Sequence, residues 1–168
     1  MARKYDELLD ALEVWNRTVL EYDERSVEVA KTIIEGLEDF LGLQKGAIYW
    51  LRPGETADDL ESINKARVPF ATGSRYVTEN DTWGFTPALL IRNIERPDLA
   101  PHLFRIRLEI LLRAPLQPVT FKLLDETFEL ANSEPQTLLP VYEYALTYMK
   151  EALITASIPV KRWSGPVN

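Results

Sequence analysis

The stretch YDELLDALEVWNRTVLEYDERSVEVAKTIIEGLEDFLGL, residues 5–43, decides the fold. It contains no proline, and its only glycines are Gly36 and Gly42. Leu8, Leu12, Trp15, Val19, Tyr22, Val29, Ile33, Leu37 and Phe40 follow the three-and-four spacing of a single helix face, with Ser26 the one polar interruption. Gly42 and Gly46 supply stop signals. At 1.5 Å per residue, a helix over 5–42 would be about 57 Å long. A compact body of 168 residues is only about 40 Å across. The helix must therefore overhang its own body or break. The sole candidate break, Asp23-Glu24-Arg25-Ser26, holds no Gly or Pro, and the apolar phase runs straight through it. The sequence thus predicts one long helix, with a helical hairpin as the alternative.

Beyond Gly46 the period changes to two. Residues 47–52 read as a strand closed by Pro53-Gly54, and 57–64 as a short acidic segment of one or two helical turns. Residues 67–78 and 83–94 flank a hairpin connection at 79–82. Leu103 to Arg113 alternates most clearly: Phe104, Ile106, Leu108, Ile110 and Leu112 share one side, Arg105 and Arg107 the other. Residues 119–130 return antiparallel, with an apolar phase switch that suggests a bulge near Leu124 or a helical piece over 123–131. Ser133-Glu134-Pro135-Gln136 resembles a capping box ahead of a helix over 138–158, with Pro140 in its first turns.

The expected class is α+β: an antiparallel sheet of four to five strands flanked by a long N-terminal helix (or αα-hairpin) and a C-terminal helix. One domain is expected over 1–158, helical over 5–43, mostly β over 47–130 and helical over 134–158, with 159–168 a tail.

Composition narrows the chemistry. There is no cysteine, so disulfides, thiolate nucleophiles and zinc ribbons are excluded, and a cytoplasmic location is expected. One histidine, His102, cannot build a His-rich metal site. A net charge of −7 argues against nucleic acid as a partner. No apolar run reaches membrane-span length, and the first residues lack a signal-peptide core. No cofactor and no resident metal are expected.

No standard catalytic motif is present. A Ser74–His102 pair is conceivable, but a turn serine and a strand-start histidine explain both residues. Two carboxylate groups, Asp58, Asp59 and Glu61, and Asp125, Glu126 and Glu129, could support a Mg²⁺-requiring hydrolase; solvated charge runs are the plainer account.

Eight of the nine bases within residues 47–115 are arginines. Arg105, Arg107, Arg75 and Arg92 with Trp50, Tyr76 and Trp83 form a candidate site for a small anionic, nucleotide-like ligand, because guanidinium forks pair with phosphate or carboxylate and rings stack on bases. Cross-strand ion pairs and core aromatics are the competing account. Leu8, Leu12, Trp15, Val19, Tyr22, Val29 and Ile33 are the candidate interface, since an overhanging apolar stripe exposes a patch that monomers rarely tolerate. Together these features predict a non-enzymatic binding or assembly protein, in the manner of an adaptor, chaperone or inhibitor, acting as a homodimer on a protein partner. A sensor or sequestering protein for the anionic ligand is the alternative.

Overall fold

Residues 2–40 form one helix without a break. The structure, a computed structural model, describes residues 2–55, 60–98, 101–111, 118–130 and 135–156. Helix α1 spans Ala2–Phe40, and no hinge occurs at Asp23–Ser26. Ser26 is fully buried and tolerated because its hydroxyl donates to the Asp23 carbonyl one turn earlier, at 2.8 Å. At the far end Gly42 takes φ +68°, its N–H bonds to Asp39 O, and Leu43 N–H bonds to Glu38 O. This paired closure needs a left-handed residue, which glycine supplies without a Cβ penalty. The buried Glu38 carboxylate then accepts from the N–H of Gly46 at 3.1 Å and of Ile48 at 2.7 Å, tying the loop to the first strand.

The remaining elements are β1 (Ile48–Leu51), α2 (Leu60–Ala66), β2 (Arg67–Val68), β3 (Arg75–Val77), β4 (Trp83–Phe85), β5 (Pro87–Ile91), β6 (His102–Arg105), β7 (Leu108–Leu111), β8 (Val119–Leu123), β9 (Glu126–Leu130) and α3 (Leu139–Ala156). The class is α+β as the patterning predicts. The described strands divide between two antiparallel sheets, of order β2-β1-β5-β6 and β3-β4-β7-β8-β9.

Two stretches of chain belong to both sheets. Residues 83–91 leave one sheet and enter the other at Thr86, and residues 102–111 do the same at Ile106–Arg107. Thr86 is held at this crossing from three directions. Its N–H donates to the buried Ser74 hydroxyl at 2.7 Å, its hydroxyl donates to Leu51 O, and its carbonyl accepts from Leu51 N–H at 2.9 Å. Pro87 follows at the start of β5, where its missing N–H breaks no ladder. The alternation through Phe104, Ile106, Leu108 and Ile110 survives the crossing, because all four enter one core.

That core is closed by the second half of α1 and by α3. Ile33, Ile34 and Leu37 meet Phe85, Leu108, Ile110 and Phe121 in it. On α3, Tyr144 packs 5.5 Å from Phe128 and Tyr148 packs 6.2 Å from Phe104, ring centre to ring centre. The other side of the four-stranded sheet buries Leu51 and Ala88 with Ile63 and Ala66 of α2. Both sides of β1 and β5 are thus covered, which is why these strands read as unbroken apolar runs.

The phase switch near Leu124 is neither a bulge nor a helix. β8 and β9 pair directly, Leu123 with Glu126 and Phe121 with Phe128, around a two-residue turn. Leu124 sits at φ +58°, held there by burial of its side chain and by an N–H bond of 2.7 Å to Arg107 O. The short acidic segment becomes α2, with 56–59 outside the described residues. A single 3-10 turn at Pro135–Leu138 leads into α3, with Pro140 in its first turn; the Ser133-Glu134 half of the expected capping box and the tail at 159–168 lie outside the described residues.

Where α3 crosses α1, the Tyr142 phenol lies on Gly36: a Cβ there would stand 2.0 Å from the hydroxyl oxygen. That hydroxyl is buried and finds no hydrogen-bond partner among the described residues. Burial, helped by Asp39, pushes the Tyr142 pKa up to about 12. An unpaired buried hydroxyl costs about 1–3 kcal/mol, so Tyr142→Phe is expected to stabilise by about 1 kcal/mol. Gly36→Ala is expected to destabilise by about 1–3 kcal/mol through overpacking, and denaturant midpoints check both. The folded-state pKa lies above the unfolded value, so stability is fully present below pH 10 and falls as pH rises toward 12. In Tyr142→Phe that alkaline loss should be smaller.

Candidate functional site

Two features stand out once the residues are placed. The first is the free half of α1. Leu8 is 68% exposed and Trp15 62%, while Tyr5, Leu9, Leu12 and Val19 are exposed beside them. Further along the same stripe, Val29 falls to 8% and Ile33 to 0%. Of the seven candidate interface residues, Leu8, Leu12, Trp15 and Val19 are therefore open and Tyr22 half-buried. Val29 and Ile33 are committed to the protein's own core, because this face of the helix is buried from Ser26 onward. Where α1 meets the five-stranded sheet, a groove of about 660 Å³ lies between Val19 and Tyr22 on the helix and Trp83, Ile110 and Leu111 on β4 and β7.

The root of the overhang is pinned. The Arg75 guanidinium pairs with Asp23 of α1 and lies 4.4 Å over the Trp83 ring. Arg75 and Trp83, both candidate ligand residues, thus serve as a clamp between β3–β4 and α1. Trp50 packs edge-on to Phe85 at 6.2 Å against the main core, and Arg92 is exposed beyond β5. None of these four lines the cleft that the remaining candidates share.

The second feature is a cleft of about 320 Å³ at the strand crossing, where the two sheets part. Arg105, Arg107 and Tyr76 line it, together with Arg52 and Glu55, over a floor that includes Phe85, Pro87 and Ile106. Arg52 pairs with Glu55 at 3.4 Å. The Tyr76 ring lies over Gly84, where a Cβ would come within 2.4 Å of it, so glycine is required. Burial and the Glu109 carboxylate raise the Tyr76 pKa, and Arg107 opposes them. A neutral phenol and cationic guanidinium groups offer hydrogen-bond donors and positive charge to an anion. Arg52 is the residue missing from the sequence-derived site. Its signal was its place among the eight arginines of residues 47–115, at the end of the first predicted strand.

The other candidates are used elsewhere. Ser74 Oγ is engaged by Thr86, while His102 is exposed on β6. Asp125 accepts from the Tyr148 hydroxyl at 2.9 Å, Glu126, Glu129 and Glu61 are exposed, and Asp58 and Asp59 lie outside the described residues. No group of three or more His, Asp or Glu side chains among the described residues is arranged to hold a metal ion. No described helix is long and apolar enough to cross a membrane.

Comparison of the chain with protein-family models, with curated proteins and with solved structures finds no match.

Arg75→Ala removes both the ion pair and the ring contact at the root of the overhang. Because that pair is largely buried, a loss of about 1–2 kcal/mol in unfolding free energy is expected, read from Trp fluorescence in denaturant.

Proposed function

We propose that the protein is a non-enzymatic binding or assembly protein of the cytoplasm, adaptor-, chaperone- or inhibitor-like, that works as a homodimer through the free half of α1. The uncovered stripe carries this reading. Tyr5, Leu8, Leu9, Leu12, Trp15 and Val19 form one continuous apolar strip. At roughly 100 Å² each they present about 600 Å², the upper end of what monomers expose and close to one partner's share of a standard interface. Most helical stability in proteins comes from packing of an apolar face, so a covering partner would support the order of this half.

Light scattering on a sizing column at micromolar concentration should give twice the 19.3 kDa chain mass. Leu12→Asp combined with Trp15→Asp should give the single-chain mass with the unfolding midpoint of the body little changed, since neither side chain enters the core. An unmodified protein that runs as a soluble monomer contradicts the reading.

The convergence of Arg105, Arg107, Arg52 and Tyr76 favours a second reading, a sensor or sequestering site for a small anionic, nucleotide-like ligand. The cleft volume matches the small end of ligand sites, about 300 Å³. A nucleoside monophosphate should then raise the melting temperature by a few degrees, and the Arg105→Ala, Arg107→Ala double variant should lose that shift. An equal shift in the double variant removes the cleft from consideration.

A further inference from the structure

We infer that the two copies pair antiparallel along α1, with the two-fold axis between Glu13 and Val14, and that the first turn of each helix ends against the groove of the other copy. This rests on the homodimer reading above and adds its geometry.

The stripe positions Tyr5, Leu8, Leu12, Trp15, Val19 and Tyr22 repeat with gaps of three and four. The charged residues between them, Asp6, Glu7, Asp10, Glu13, Arg17 and Glu21, all fall on the opposite side of the helix. The residues flanking the stripe, Leu9, Ala11, Asn16 and Thr18, are uncharged. Between Tyr5 and Tyr22 no charge therefore flanks this face; Lys4, Asp23 and Arg25 flank it only at its ends.

Antiparallel pairing about the midpoint sets Tyr5 against the second copy's Tyr22, Leu8 against its Val19, and Leu12 against its Trp15. All six stripe positions are then used. Sliding the pair by seven residues leaves four, and in one direction calls on Ser26, which is already buried in its own core.

Parallel pairing would match the same six positions, but the body forbids it. The stripe continues as Ser26, Val29 and Ile33, and there the protein's own sheet lies on it. Packed helices run only about 8–10 Å apart, so a parallel second helix would have to pass through that sheet. An antiparallel one runs the other way and overlaps the edge of the sheet only with its first turn, level with Tyr22 to Arg25. At that level lies the groove lined by Val19, Tyr22, Trp83, Ile110 and Leu111, and the second copy's Tyr5 arrives at its mouth.

The chain has no cysteine, so introduced thiols are the only ones present. Leu8→Cys and Val19→Cys, both at exposed positions, are made as single variants of the full chain and oxidised alone and mixed. In the antiparallel pair Leu8 and the second copy's Leu8 are 11 residues apart in level, about 16 Å, beyond the ~7 Å reach of a disulfide. The expected result is about tenfold more covalent dimer in the mixture than in either variant alone, the mixed pair being within reach. Covalent dimer in each single variant alone means parallel helices, which overturns this arrangement and leaves the homodimer standing. A dimer by light scattering that gives no covalent product in the mixture also overturns it. A single-chain mass by light scattering overturns both.

Discussion

The apolar stripe of α1 does not end where the protein's own body ends. A 39-residue helix is about 58 Å long, and no body built from this chain is wide enough to cover it. Inside the body the stripe is satisfied by Phe85, Leu108, Ile110 and Phe121. Outside it, the same spacing continues through Trp15, Leu12 and Leu8, which none of the described residues covers. A break would relieve the mismatch, but Ser26, the residue best placed to start a second helix, bonds back to Asp23 inside a continuous helix. Arg75 fixes the angle at which the helix leaves the sheet by gripping Asp23 on one side and Trp83 on the other.

The β portion answers a different constraint. Two long strands each serve two sheets, and at the crossing neither ladder can supply Thr86 with its ordinary partners. Ser74 and Leu51 supply them instead, so a polar network replaces sheet pairing at the point where the sheets diverge. The gap left between the diverging sheets is the cleft. Arg105 and Arg107 reach it because they alternate with Phe104, Ile106 and Leu108, whose burial turns the arginines outward. The core thus determines where the positive charge collects.

Some of this was legible in the residues and some was not. The long helix was readable because a proline-free three-and-four repeat admits little else. Its division of labour was not: a repeat says that a face is apolar, not what covers it, so Val29 and Ile33 read the same as Leu12 and Trp15. The alternation through residues 104–110 showed a strand but hid the change of sheet, since both sheets drain into one core. Leu124 misled for a chemical reason, because the tight turn after β8 carries neither Gly nor Asn and its left-handed residue is held by burial instead. Among the arginines, Arg105 and Arg107 could be grouped from their spacing. Arg75 could not be set apart, because its partner Asp23 lies 52 positions away in the chain.

The account stands or falls on whether residues 5–22 are covered in solution. Amide hydrogen exchange read by mass spectrometry, followed while the protein is diluted, measures this directly. Slow exchange across residues 5–22 at high concentration, becoming fast on dilution while residues 27–40 stay protected, is the predicted result. Exchange across 5–22 that is fast at every concentration, or slow in a species shown to be a single chain, would contradict it.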